Sequence, residues 1–274
     1  MSYLDIDGAR LYYEQFDNGR PPLALVHGAG QDTLSWRYVS DRLTDHFSVI
    51  ALDLPGHGKS ARRPDGAAIA DYADHIPYVD GLMAALGHRR YVFMGHSFAG
   101  GLGLSLARAR PDSVAAVIML DGTGCPSAAW GGNAFDLVAI NPTDWMEVNF
   151  RLICGPTTSP ERVDEISRDV LRCPPDVVQG DIKAFARTDL QSDLPTMTTP
   201  LMAVHGLDDW SIPPELGRRT CEQIGGPAVF HGLSDVGHFP HVEAPARLMD
   251  AIDELWPGFA KNHLELNATE ESTR

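Results

Sequence analysis

The sequence predicts an α/β fold built on a mostly parallel sheet. Short uninterrupted apolar runs recur along the chain, as expected for strands covered on both faces. Segments of helical character alternate with them. A hairpin signal stands ahead of the first such run. The 274 residues, 43% hydrophobic and 22% charged, suit a soluble globular protein with one large domain and an insertion, or two small domains.

The runs at 3–6 and 9–16 flank Asp7-Gly8, a pair suited to a two-residue hairpin turn. Buried-strand runs follow at 23–26, 48–52, 91–94 and 114–120, and two more at 201–204 and 228–230. Helices are expected near 33–45, 70–87, 98–110, 213–224 and 243–256, with Glu243 opening the last. Pro77 should start or kink a helix rather than sit inside one, because it lacks the N–H a helix interior uses. Between 123 and 195 the alternation breaks. That stretch holds Trp130, Trp145, Cys125, Cys154, Cys173 and several prolines, and reads as a helical insertion above the sheet. The expected division is therefore 1–122 and 196–262 for the sheet domain, 123–195 for the insertion and 263–274 for a polar, frayed tail.

Charge and cysteine usage narrow the partners. With 22 Lys+Arg against 37 Asp+Glu, the net charge of −15 disfavours nucleic acid. No window approaches the roughly 18 apolar residues of a membrane span. Met1-Ser2-Tyr3-Leu4-Asp5 has neither the basic start nor the apolar core of a secretory signal, so a cytoplasmic location is expected. Cys125, Cys154, Cys173 and Cys221 are widely spaced without a CxxC pair, which favours reduced thiols over disulfides or a zinc site.

The strongest chemical signal is the run Tyr91-Val92-Phe93-Met94-Gly95-His96-Ser97-Phe98-Ala99-Gly100-Gly101. A strand enters a small-x-Ser-x-small turn and leaves as a helix. Such a turn strains the serine backbone, needs small neighbours, and presents the hydroxyl at the sheet edge against a helix N-terminus. The bland alternative is a glycine-rich turn with an idle serine. An activated serine needs a base and an orienting acid. His238, in Asp235-Val236-Gly237-His238 after the last strand run, is better placed for that than His241, which reads as a surface or packing residue. For the acid, Asp208 and Asp209 end the run at 201–204, and Asp121 closes the run at 114–120. Each could equally cap a loop. Backbone N–H groups in His27-Gly28-Ala29-Gly30 could face a developing oxyanion together with that of Phe98, each donor worth about 3 kcal/mol of barrier. His27 itself reads as a loop-fixing residue.

Three patterns are decoys. Gly28-Ala29-Gly30 with Asp53 downstream imitates a dinucleotide fingerprint, but Thr33 replaces its third glycine. Gly58-Lys59-Ser60 imitates the end of a phosphate loop, with Asp53 where a glycine is required. His238-Phe239-Pro240-His241 lacks further metal ligands at sensible spacing.

Together these residues resemble the α/β-hydrolase superfamily, in its serine-nucleophile branch of esterases, lactonases and non-haem haloperoxidase-like members. His27-Gly28-Ala29-Gly30 matches the oxyanion loop and Asp53-Leu54-Pro55-Gly56-His57-Gly58-Lys59-Ser60 the turn after the fourth strand. Gly95-His96-Ser97-Phe98-Ala99-Gly100 matches the nucleophile elbow, His205-Gly206-Leu207-Asp208-Asp209 the acid loop, and Gly237-His238 with Glu243 and Pro245 the histidine loop. The order Ser, Asp, His is the family's own. The resemblance implies an eight-stranded sheet with a helical cap inserted after the sixth strand. It implies Ser97 as nucleophile, His238 as base and Asp209 as acid, with Asp121 and Asp208 as alternatives. It also implies an oxyanion hole from the N–H groups of Ala29 and Phe98, and a pocket that Trp130, Phe135 and Trp145 of the cap could line. The implied activity is hydrolysis of a small carboxylic ester or lactone without metal or organic cofactor. Carbon–carbon hydrolysis, perhydrolysis, or a small-molecule receptor with little turnover are the alternatives.

Overall fold

Side-chain alternation along each strand decides the architecture. The computed structural model describes residues 2–126 and 141–264. Strands β1 (Ser2–Ile6) and β2 (Ala9–Phe16) turn through Asp7 at φ 46° and Gly8 at φ 78°, the doubly positive turn that matches strand twist. They are followed by β3 (Pro22–Val26), β4 (Ser48–Leu52), β5 (Tyr91–His96), β6 (Val114–Leu120), β7 (Leu201–Gly206) and β8 (Ala228–Leu233). The single eight-stranded sheet runs β1-β2-β4-β3-β5-β6-β7-β8. Only the β1–β2 and β2–β4 pairs are antiparallel.

In the central strands, alternate residues feed two cores. Ala24, Val26, Phe93, Val117 and Met119 pack on one face under α2 (Tyr72–Ala85) and α3 (Phe98–Ala109). Leu23, Leu25, Val92, Met94 and Ile118 pack on the other, against Leu43 of α1 (Ser40–Leu43) and Leu248, Ile252 and Trp256 of a C-terminal helix. Both faces are covered, so these strands carry unbroken apolar runs.

Between β6 and β7 the described chain is helical: α4 (Pro142–Leu152), α5 (Pro160–Val170) and α6 (Pro175–Arg187). Pro160 and Pro175 open their helices at the position where a missing N–H has no consequence. These helices share a cluster of Met146, Phe150, Ile166, Val170, Val178 and Ile182, which Phe239 and Val242 complete. The chain then adds α7 (Pro214–Gln223), α8 (Pro240–Glu243) and α9 (Pro245–His263). Among the described residues, no helix is long and apolar enough to cross a membrane.

Three expectations need correction. Pro77 sits inside α2. It faces solvent beside exposed Ala73, where water can meet the carbonyl it leaves unbonded, while Ile76, Tyr78 and Val79 pack inward. The helix expected over 33–45 is broken into a 3₁₀ turn at Thr33–Trp36, capped by Asp32, and the short α1. Glu243 closes α8, and Pro245, with no N–H to lose, opens the last helix. The tail expected from 263 lies outside the described residues beyond Leu264.

Gly103 of α3 approaches β5 so closely that a Cβ would lie 2.5 Å from Phe93 Cδ1. Alanine gains about 1 kcal/mol of helix propensity, but overpacking a filled core costs about 1–3 kcal/mol. Gly103→Ala should therefore lower Tm by about 2–6 °C in a thermal melt; an unchanged or higher Tm would show that Phe93 yields freely.

Candidate active site

The turn that carries Ser97 is built from the backbone outward. Ser97 joins β5 to α3 at φ 54°, ψ −118°, a strained region for any residue with a Cβ. Its N–H donates to Leu120 O at 2.7 Å, and its carbonyl accepts from Gly100 N–H at 2.8 Å. A Cβ on Gly95 would lie 2.5 Å from Ala99 O, so the small residue there is a requirement of the turn.

His238 reaches Ser97 from the loop after β8. Its Nδ1–H donates to Asp209 Oδ2 at 2.7 Å, which leaves Nε2 to accept the Ser97 hydroxyl at 2.8 Å. Asp209 is fastened by its other oxygen, which accepts Ser211 N–H at 2.8 Å and Ile212 N–H at 3.1 Å. Burial alone would raise the Asp209 pKa, but the facing His238 and His205 outweigh it and bring it down to about 2. The carboxylate therefore stays charged behind the imidazole.

The two alternative acids fall elsewhere. Asp208 is exposed, and its N–H donates to Val236 O; its side chain makes no hydrogen bond to His238. Asp121 is fully buried at φ 45° with Oδ1 accepting Gly206 N–H at 2.8 Å. Burial, then the neighbouring Asp209 charge, raises its pKa well above the usual carboxylate range. Asp121 is thus a neutral acid beside a charged one. Ligand atoms of Asp121, Asp209 and His238 lie within 4.8 Å of one another, but His238 Nδ1 and both Asp209 oxygens are already engaged in hydrogen bonds, which closes the set to an ion.

Ala29 and Phe98 border the same cavity as Ser97 and His238. Their N–H groups have no hydrogen-bond acceptor among the described residues. The Ala29 loop is held by His27, whose Nδ1–H donates to Gly28 O at 2.9 Å while Nε2 accepts Leu54 N–H at 3.1 Å. Burial, then neighbouring His57, lowers the His27 pKa, consistent with a neutral loop-fixing ring. Asp53 accepts Thr33 N–H at 2.7 Å and Lys59 N–H at 2.8 Å, so the acid of the dinucleotide decoy is used up in joining loops. His241 is a packing residue, fully buried between the Trp36 and His96 rings, and burial lowers its pKa to about 3.

Sequence reasoning missed two contributions. Glu243 is the anchor of the histidine loop: its carboxylate accepts Gly237 N–H at 3.0 Å and Phe239 N–H at 2.8 Å on either side of His238. It also accepts Gly155 N–H at 2.7 Å and the Thr158 hydroxyl. The second is the cavity wall: Met146, Phe150, Ile153, Ile182 and Phe185. Their spacing, i, i+4, i+7 on one segment and i, i+3 on another, is the helical-face signal that could have found them. Trp145 is partly buried against the cluster of the same helices. Trp130 and Phe135 lie outside the described residues.

Comparison with known proteins bears on the fold and the family. A model of the alpha/beta hydrolase family matches residues 23–251. An uncharacterised hydrolase of Bacillus subtilis is 28% identical over 265 residues, covering 91% of this chain and 95% of that one. The dihydrolipoyllysine-residue acetyltransferase component of the acetoin cleaving system of Cupriavidus necator is 34% identical over 130 residues, 47% of this chain but only 34% of that protein. Among solved structures, a malate-bound thermophilic esterase from Thermogutta terrifontis superposes with a TM-score of 0.84 at 27% identity, covering 94% of this chain and 99% of that one.

The neutral state of Asp121 has a consequence for stability. An unfolded aspartate loses its proton near 3.8, whereas the folded one retains it, so this residue costs the fold stability as pH rises above that value. Asp121→Asn removes the cost and keeps an acceptor for Gly206. It should raise Tm at pH 7 by about 2–4 °C and leave it unchanged at pH 3. A Tm lowered at pH 7 would contradict the assignment.

Proposed function

The chain belongs to the alpha/beta hydrolase family, and from that premise we propose that it is a serine hydrolase cleaving a small carboxylic ester or lactone. The observation that carries this reading is the continuous hydrogen-bonded run from Asp209 through His238 to Ser97, which opens into an apolar cavity. In the first step Ser97 Oγ attacks the carbonyl carbon while its proton passes to His238 Nε2. The carbonyl oxygen becomes an oxyanion held by the N–H groups of Ala29 and Phe98, and Asp209 stabilises the imidazolium. The carbon–oxygen bond to the alcohol then breaks, and the alcohol leaves with the proton from Nε2. In the second step a water gives its proton to Nε2 and attacks the acyl carbon. The bond to Oγ breaks, Oγ recovers the proton, and the acid is released. The balance closes without a cofactor.

Helices α4 and α6 supply the cap of this site. The cavity beside Ser97 is narrow, with a volume of about 30 Å³. Its walls include Met146, Phe150, Ile182, Phe185 and Ile212, and among the described residues no Asp, Glu, Lys or Arg lines it. That combination favours a short, apolar acyl group.

The test is a series of p-nitrophenyl esters from acetate to decanoate. The expected kcat/KM is highest for two to four acyl carbons and falls at least about tenfold by eight, since each unburied methylene forfeits about 0.8 kcal/mol. Ser97→Ala and His238→Ala should each lose at least about 10³-fold. A folded wild-type protein inert on the whole series would overturn the hydrolase reading, and a preference for long chains would overturn the acyl-size reading alone.

A further inference from the structure

Helix α6 faces the site with two kinds of side chain. Ile182 and Phe185 border the cavity beside Ser97. Asp181, only 1% exposed, turns its carboxylate into the seam between this helix and the loops of the sheet. Its Oδ2 accepts Gly30 N–H at 3.0 Å and His57 Nε2–H at 2.9 Å. Oδ1 has no hydrogen-bond partner among the described residues, so the anchoring rests on Oδ2. Gly30 directly follows Ala29, which borders the cavity.

The donor pattern gives the seam its charge. His57 Nδ1 lies 3.3 Å from Pro55 O while Nε2 faces Asp181, so both ring nitrogens meet acceptors and the ring is an imidazolium. Burial opposes that charge, but Asp181 and nearby Cys173 outweigh it and raise the pKa well above the histidine range. His27 and His75, packed in the same region, are pushed the other way by burial, His75 to about 3. One positive charge therefore faces one carboxylate at the joint.

Glycines let the surfaces meet this closely. A Cβ on Gly30 would lie 2.7 Å from Val170 Cγ2, one on Gly56 3.0 Å from Val177 Cγ2, and one on Gly180 2.2 Å from Ile69 O. The helix that lines the acyl cavity is thus seated directly on the loop that carries Ala29.

We propose that Asp181 is a positioning residue for the oxyanion loop, holding Gly30 and with it the Ala29 N–H, so that seating α6 over the cavity and aligning that donor are one event. This rests on the hydrolase reading. A donor displaced by even 1 Å loses on the order of 10² in rate. Loss of Asp181 should therefore act on kcat, because the oxyanion is absent from the bound ester and develops only as the reaction proceeds.

The test compares p-nitrophenyl acetate kinetics of wild type, Asp181→Ala and Asp181→Asn, with circular dichroism to establish folding. Asp181→Ala should lose about 10- to 100-fold in kcat with KM within about threefold. Asp181→Asn keeps an acceptor for Gly30 but loses the charge, and should recover about half of that loss on a logarithmic scale, leaving kcat about 3- to 10-fold below wild type. It also supplies the answer if Asp181→Ala does not fold: kcat reduced several-fold at unchanged KM supports the proposal, and wild-type kcat overturns it. A folded Asp181→Ala with wild-type kcat, or with its whole effect in KM, overturns it too. If wild type itself turns over no ester, the hydrolase reading falls and takes this one with it. If wild type is active and the variants match it, only this proposal falls.

Discussion

Ser97 occupies a backbone conformation that an L-residue keeps only when its surroundings impose it, and the surroundings here are the sheet itself. The register places Val26 opposite Gly95, Gly95 opposite Met119, and Met119 opposite Ala203. Four parallel strands therefore end in one row, and the loops that leave that row carry Ala29, Ser97, Asp121 and Asp209. The hydrogen bond from Ser97 N–H to Leu120 O ties the strained turn to the neighbouring strand. Phe98, the first residue of α3, then borders the cavity. A one-residue slip between β5 and β6 would dissolve the arrangement, because it would reverse the facing of every side chain on one strand.

Buried and half-buried carboxylates lock the loops that the row launches. Asp53, Asp209, Asp121, Glu243 and Asp181 each accept at least one backbone N–H from a loop at this edge. A hydrogen bond to a charged group contributes about 1.5–3 kcal/mol, which adds to the burial of loop residues such as Leu54, Ile212 and Phe239. Their electrostatic states differ with their neighbours: His238 and His205 hold Asp209 charged, whereas that charge helps keep Asp121 neutral. Part of the acidic composition thus serves to fasten the site.

The strands were legible because both their faces are buried, which leaves a continuous apolar signature; 48–52 and 114–120 match the observed bounds to the residue. Ser97 and His238 were legible because each sits in a local pattern that dictates its backbone. The acid was not decidable in the same way. Asp121, Asp208 and Asp209 all follow strand ends, and what separates them is the close approach of Gly206 to Gly237, where a Cβ would fall 2.0 Å from the Gly237 carbonyl. That is a long-range contact with no local trace. Asp181 was invisible as a site residue for the same reason, since Gly30 lies 151 positions away; Glu243 belonged to the histidine-loop pattern, but nothing local pointed to its bond with Gly155, 88 positions away. Pro77 inverted a local rule because the packing of its neighbours in α2 overrode propensity. Within 141–187, Trp145 packs with the helices' own cluster, whereas the periodic face of Met146, Phe150 and Ile153 meets the cavity, because docking decides which helical face does so.

The central claim is that Ser97 is an activated nucleophile. Treatment with a fluorophosphonate probe, followed by intact-protein and peptide mass spectrometry, tests it most directly, with Ser97→Ala as control. A single adduct on the peptide containing Ser97, absent from the control, is the expected result. No adduct on natively folded wild type, or an adduct that persists in Ser97→Ala, would contradict the account.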